Sequence, residues 1–254
     1  MPIIIETLII SLLIQLVLFI PAFIFKTDKL TDLSYSMTFA LLAIILYARS
    51  SQTFVHLILL IMLLAWSFRL GIYLFIRISK MKKDKRFDGI RESFYRFAKF
   101  WLLQGIVVWL VMLSSVFLFG NINPDWSFVS LLGLIIFLVG FVLETVADAQ
   151  KYKFKSNPKN KTSFIQTGVW RYSRHPNYFG EFLIWLGIFV YSLSSALPLA
   201  LWGVLSPLFI FVVLYYGTGI PMLERSYDKR FKNNMDYQEY KQTTNKFFFW
   251  FKKK

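Results

Sequence analysis

Cysteine is missing from this chain of 254 residues, and with it go disulfides, zinc ribbons, thiolate haem ligation and redox dithiols. No metal site is expected. The motif GxGxxG is absent as well, so a soluble dinucleotide-binding fold cannot supply nucleotide binding. There is no internal repeat and no low-complexity linker, and 1–254 reads as a single membrane domain. Acidic residues are few, 14 Asp and Glu against 29 Lys and Arg, for a formal net charge of +15. The first apolar segment has no basic n-region and a poor cleavage site, which fits a signal anchor better than a cleaved signal peptide.

What the chain has in excess is apolar surface. It is 56% hydrophobic and 19% aromatic, with 28 Phe and 8 Trp. Runs of about 20 apolar residues mark membrane-spanning helices. Seven such runs are expected, at Pro2–Phe25, Leu33–Ala48, Phe54–Ile78, Phe100–Gly120, Trp126–Ala147, Phe179–Leu197 and Leu199–Pro221. The fold class is therefore all-α, a polytopic integral membrane protein of about seven transmembrane helices.

Charge placement sets an orientation. Eight Lys/Arg lie in 79–99, seven in 148–178 and nine in 222–254, whereas 49–53, 121–125 and 196–198 hold only Arg49. The positive-inside rule puts the N-terminus outside and the C-terminus in the cytoplasm. The positive charge then reflects topology and contact with anionic membrane lipids, and nucleic acid is not an expected partner. The run Phe247 to Phe251, followed by three lysines, reads as an interfacial anchor within an aromatic and basic tail, 246–254.

Polar groups inside apolar runs are costly and need partners. Arg77 can snorkel to an interface, but Arg69 lies eleven residues before Lys80, about 16 Å along a helix. Glu144, Asp148, Lys151 and Lys155 fall at i, i+4, i+7 and i+11, one stripe of a helix that Asn157-Pro158 should stop. In Ser173-Arg174-His175-Pro176-Asn177-Tyr178-Phe179-Gly180-Glu181, His175 is placed to cap a helix with Pro176 at its first position. The free N–H groups of Asn177 and Tyr178, with Arg171 and Arg174 outside them, then make an anion site. Asn177 and Glu181 are one turn apart and share a face. Glu224, Arg225, Tyr237 and Tyr240 form a third polar group, which alone reads as an amphipathic tail.

The run from Gly168 through Trp170, Arg174-His175-Pro176-Asn177-Tyr178 and Gly180-Glu181 is similar to the signature of the steroid 5α-reductase-like membrane proteins known as the DUF1295 family. The sterol C14 and C7 reductases are their relatives. The likeness takes in Trp66-Ser67-Phe68-Arg69, Asp84-Lys85-Arg86-Phe87, Glu144 with Asp148, Gln150, Lys151 and Phe154, then Gly219-Ile220-Pro221 with Glu224, and Tyr237 with Tyr240. It covers a core of about 60–245.

That resemblance implies about seven helices and NADPH held in a polar cavity open to the cytoplasm. Hydride would pass to an activated C=C bond of a steroid-like or other lipid. It assigns cofactor binding to Asp148, Lys155, Asn177 and Glu181, together with Arg171, Arg174, His175, Tyr178, Glu224 and Tyr237. Lys151 belongs with them on the helical stripe. Arg69, Tyr73 and Glu181 are the catalytic candidates. Where steroid 5α-reductases carry a tyrosine three residues before an arginine, this chain has Trp66, a donor but a poor proton source; Tyr73, one turn beyond Arg69, stands in for it. Isoprenylcysteine carboxyl and phospholipid methyltransferases share the Arg-His-Pro-x-Tyr-x-Gly core, so an S-adenosylmethionine-dependent methyltransferase is the alternative. Asn177, Glu181, Asp148 and Gln150 favour the reductase. A scaffold without turnover is the third reading. A bacterial inner membrane and the endoplasmic reticulum both fit.

Overall fold

The computed structural model describes residues 2–80, 87–195 and 198–250, with backbone alone at 77–80, 195 and 199. The Arg77 side chain and the Asp84 to Arg86 stretch lie outside the described residues. Among the described residues the structure is all-helical. The helices are α1 Ile3–Ile24, α2 Lys29–Arg49, α3 Phe54–Lys80, α4 Phe94–Phe119, α5 Phe128–Ser156, α6 Pro176–Ser192, α7 Leu205–Tyr215, α8 Ile220–Arg230 and α9 Met235–Thr243.

The burial pattern is that of a protein dissolved in lipid. On α1 the buried residues are Thr7, Ser11, Gln15, Phe19 and Ala22, one stripe at helical spacing. Ile5, Ile9, Leu13, Val17, Ile20 and Ile24 are exposed. A soluble helix does the reverse. In a bilayer the tails solvate Leu and Ile at no cost, and polar side chains turn inward to bond neighbouring helices. The protein is an integral membrane protein.

Among the described residues six helical stretches are long and apolar enough to span: Ile3–Ile24, Lys29–Arg49, Phe54–Ile76, Phe94–Phe119, Phe128–Ser156 and Ala200–Arg230. The seventh expected span, 179–197, is not among them. It falls on α6, 17 residues long and followed by a 3₁₀ turn at Leu193–Ser195. At the helical rise α6 covers about 26 Å, short of the ~30 Å hydrocarbon core. The run expected at 199–221 is likewise not one regular helix. It comprises a 3₁₀ stretch, Pro198–Val204, then α7, and α8 begins beyond Gly219 with Pro221 in its first turn.

The chain divides into two compact units: Met1–Leu131 with Ile188–Ser206, and Leu132–Gly187 with Pro207–Lys254. In the first, α1, α2 and α4 are joined by a buried amide network. The two N–H groups of Gln104 Nε2 are shared among three acceptors, Gln15 Oε1 at 3.1 Å, the Thr31 carbonyl at 3.0 Å and Ser34 Oγ at 2.8 Å. Gln15 Nε2 donates to Thr38 Oγ1 at 2.7 Å. Each such interhelical bond contributes about 0.6 kcal/mol and fixes which helix faces meet. At the end of this bundle Arg91 is buried and salt-bridged to Asp28, Asp88 and Glu92. A charge that deep is tolerable because carboxylates surround it.

The second unit is organised by glycine. A Cβ on Gly140 of α5 would lie 2.7 Å from the Gly180 carbonyl oxygen and 2.7 Å from the Ile184 nitrogen of α6. One on Gly180 would lie 2.8 Å from the Glu144 nitrogen, and one on Gly187 would collide with the Phe137 backbone. The two helices therefore touch backbone to backbone, as small residues permit in membranes.

Candidate functional site

The site is built in the second unit from the ends of α5, α6 and α8 and the chain between α5 and α6. Helix α5 stops at Ser156, as its Asn157-Pro158 sequence predicts, and the Asn157 side chain accepts from the Lys159 N–H at 3.0 Å. The returning chain is hooked onto α5 at a 3₁₀ turn, Gly168–Arg171. Gln150 Oε1 accepts from the Val169 N–H at 3.0 Å, and Trp170 Nε1 donates to the Ala147 carbonyl at 3.1 Å. Gly168 has φ +63°, and a Cβ there would lie 2.7 Å from Gln150 Cδ. The left-handed backbone favours glycine at this position, and any Cβ would displace the Gln150 amide from the Val169 N–H.

Helix α6 begins at Pro176, and the Phe179 N–H reaches the His175 carbonyl at 3.1 Å. His175 thus precedes the first turn as expected, with proline where a missing N–H costs nothing. The close α5–α6 approach brings Asn177 Nδ2 within 3.2 Å of Asp148 Oδ1. Asn177 Oδ1 is buried without a partner.

Glu224 is the hub. One carboxylate oxygen accepts from Arg174 Nη1 at 2.7 Å and the other lies 2.8 Å from His175 Nε2. The Tyr178 ring stacks on His175 at 5.7 Å and 11°. His175 is buried, and that burial holds its pKa below the ordinary histidine range, helped by the charges of Lys151 and Arg174 and opposed by Glu224. The imidazole is therefore neutral at pH 7. Nε2 carries the hydrogen given to Glu224, and Nδ1 remains a buried acceptor without a partner. Burial likewise pushes the Tyr237 and Tyr240 phenols up, so both stay protonated. Tyr237 donates to Asp228 at 3.0 Å and Tyr240 to the Trp170 carbonyl at 2.6 Å.

Two neighbouring spaces that share lining residues adjoin these groups. A narrow cavity of about 20 Å³ is lined by Lys151, Trp170, Arg174, His175, Glu224, Tyr237 and Tyr240. Beside it, sharing Lys151, Phe164, Ile165 and Tyr227, a cleft of about 310 Å³ carries Lys151, Lys155, Lys161 and Arg230. No carboxylate is among the described residues that line the cleft. Lys151 Nζ also sits 4.8 Å over the Trp170 ring, a cation–π contact that holds it at the junction.

The structure thus gathers Lys151, Lys155, Arg174, His175, Glu224 and Tyr237 around one pair of cavities, with Tyr178 against His175 and Asn177 against Asp148. Glu181 accepts from Trp185 Nε1 at 2.8 Å along α6. Arg171 is exposed at the end of its turn. Arg69 and Tyr73 belong to the first unit, on α3, where Trp66 is buried edge-to-face against Phe39 at 4.8 Å. Sequence reasoning missed Phe164, Lys161, Tyr227 and Arg230. Lone surface cations carry no signal before the fold is known. Tyr227 and Phe231, which pack with Tyr237 and Tyr240 around Phe164, carry no signal of their own in the sequence.

The family model described as "Protein of unknown function (DUF1295)" matches residues 18–244. The chain is also similar to the "Probable O-methyltransferase ustE" of Ustilaginoidea virens, 35% identical over 101 residues. That match covers 39% of this chain and 32% of the length of the fungal protein. No solved structure matches.

Proposed function

The chain belongs to the DUF1295 family, and on that footing we propose that it is a membrane-embedded NADPH-dependent reductase of an activated C=C bond in a lipid or steroid-like substrate. One observation carries this reading. The cleft beside Glu224 presents Lys151, Lys155, Lys161 and Arg230 with no carboxylate among its described lining. Four cations at one cleft suit a polyanion. A phosphate-bearing dinucleotide is one, whereas S-adenosylmethionine, with a sulfonium, an ammonium and a single carboxylate, is a net cation and matches such a cleft poorly.

The donor set fits such a group. Lys151, Lys155, Lys161 and Arg230 would hold phosphates; Trp170, Tyr237 and Tyr240 line the adjoining cavity with aromatic faces. When bound, NADPH supplies the hydride. The chain's own residues bind, orient and keep proton positions fixed. Glu224 holds Arg174 and sets the His175 tautomer, leaving Nδ1 as a fixed acceptor. Asp148 orients the Asn177 amide so that Oδ1 is an acceptor too. Bonds prearranged in this way cost no reorganisation on binding. The positive-inside rule puts these basic segments in the cytoplasm, where the cofactor is found.

The methyltransferase reading is favoured by the name of the fungal relative. Titrating detergent-purified protein with NADPH and, separately, S-adenosylmethionine separates the two. NADPH should bind with micromolar-range affinity and weaken steeply with salt. Saturable binding of S-adenosylmethionine with none of NADPH overturns the reductase.

A further inference from the structure

Residues 172–175 carry two of the ligands of Glu224 yet belong to neither a helix nor a strand among the described residues. A short irregular segment does not hold its side chains in place by itself. Here the restraint comes from 245–250. The Arg174 N–H donates to the Asn245 carbonyl at 2.9 Å, and the Trp250 N–H to the Tyr172 carbonyl at 3.3 Å. Between them Ser173 Oγ donates to the Phe247 carbonyl at 2.9 Å and accepts from the His175 N–H at 3.2 Å. Three consecutive residues, Tyr172, Ser173 and Arg174, are thus bonded to one strap.

The strap is itself anchored. Phe247 is 1% exposed. Its ring lies 5.5 Å from Phe179 and 6.0 Å from Phe182 on α6, and 5.5 Å from Phe211 and 5.7 Å from Tyr215 on α7. Lys246 Nζ sits 4.4 Å over the Tyr215 ring. Phe248 and Trp250 stay exposed, so among the described residues of the run that reads as an interfacial anchor Phe247 turns inward and locks.

We propose that 245–250 is a positioning strap for the site: Phe247 anchors it in the α6–α7 aromatic pocket, and Ser173 transmits that anchor to Arg174 and His175, holding both on Glu224. The proposal does not depend on which cofactor binds, because its readout is the imidazole itself. With the strap in place, His175 stays buried against Glu224, Arg174 and Lys151 and under the Tyr178 ring. With the strap loosened, water reaches it.

The chain has two histidines, His56 and His175, so His-selective labelling gives two imidazole signals by NMR, with His56 as internal reference. In Phe247→Ala the His175 titration midpoint should rise toward the ordinary value of 6.5, with the His56 signal unmoved. Phe247→Leu should restore most of the difference, and Ser173→Ala should shift it in the same direction with the Phe247 ring intact. An unchanged His175 midpoint in a folded Phe247→Ala protein overturns the proposal. If the alanine variant unfolds and both signals collapse to random-coil positions, Ser173→Ala decides by the same criterion: a shifted midpoint supports the strap and an unshifted one refutes it. NADPH affinity, measured in parallel, tests the functional reading separately; a strap confirmed by NMR stands even if NADPH does not bind.

Discussion

Replacing Gly140 by alanine puts the contact between α5 and α6 to the test. The new methyl would lie 2.7 Å from the Gly180 carbonyl oxygen and the Ile184 nitrogen, and 2.8 Å from Leu183 Cβ, where ordinary contact begins at 3.4 Å. Two of the three atoms are backbone, so no side chain can rotate away. The helices must separate locally by at least about 0.7 Å, or the backbone must bend. Overpacking of this kind costs about 1–3 kcal/mol. The gain in helix propensity from Gly to Ala recovers at most ~1 kcal/mol, so the net sign is destabilising. The same displacement would stretch the 3.2 Å Asn177–Asp148 bond beyond hydrogen-bond range. Two assays read this: unfolding in mixed detergent, which reports stability, and NADPH titration, which reports the site. Val142→Ala, at an exposed apolar position of the same helix, is the control and should be near neutral in both. A Gly140→Ala protein as stable as the parent, with unchanged affinity, would show that the helices do not touch where the structure places them.

Other outcomes follow from the site. Lys155→Glu and Arg230→Glu each place a carboxylate in the basic cleft. Either should lower NADPH affinity at least tenfold in low salt and flatten its salt dependence, with unfolding curves little changed because both side chains are exposed. Tyr240→Phe removes the 2.6 Å bond to the Trp170 carbonyl and should cost about 0.5–1.5 kcal/mol, read by unfolding. For pH, His175 titrates lower in the folded protein than its ordinary value of 6.5, burial being the main cause. The unfolded chain then binds the extra proton first, so stability is unaffected above 6.5 and falls as pH drops below it. A His175→Gln protein should show a shallower loss of stability between pH 6.5 and 5; an equal slope refutes the assignment.

Membrane class and composition were legible from the sequence because lipid imposes one strong rule: every span is a long apolar run. Helix α5 with its Asn157-Pro158 stop and the His175-Pro176 start of α6 were legible for local reasons. Periodicity puts residues on one face, and proline fixes a helix end. Hydropathy overstated the span expected at 179–197, whose described part is a short helix running into a 3₁₀ turn at Leu193–Ser195. Hydropathy measures how apolar a run is and is blind to a backbone that changes its helical form.

Only the tertiary structure decided who meets whom. Nothing local pairs Arg174 and His175 with Glu224, some fifty positions away, or brings Lys161 and Arg230 to the cleft that Lys151 and Lys155 line. Likewise Phe247 looked like an interfacial anchor, because an aromatic beside lysines reads that way in any one-dimensional window. Its burial depends on α6 and α7 supplying a pocket. Sequence pattern fixes the solvent each residue prefers; partners separated along the chain are chosen by packing, which no window of neighbours contains.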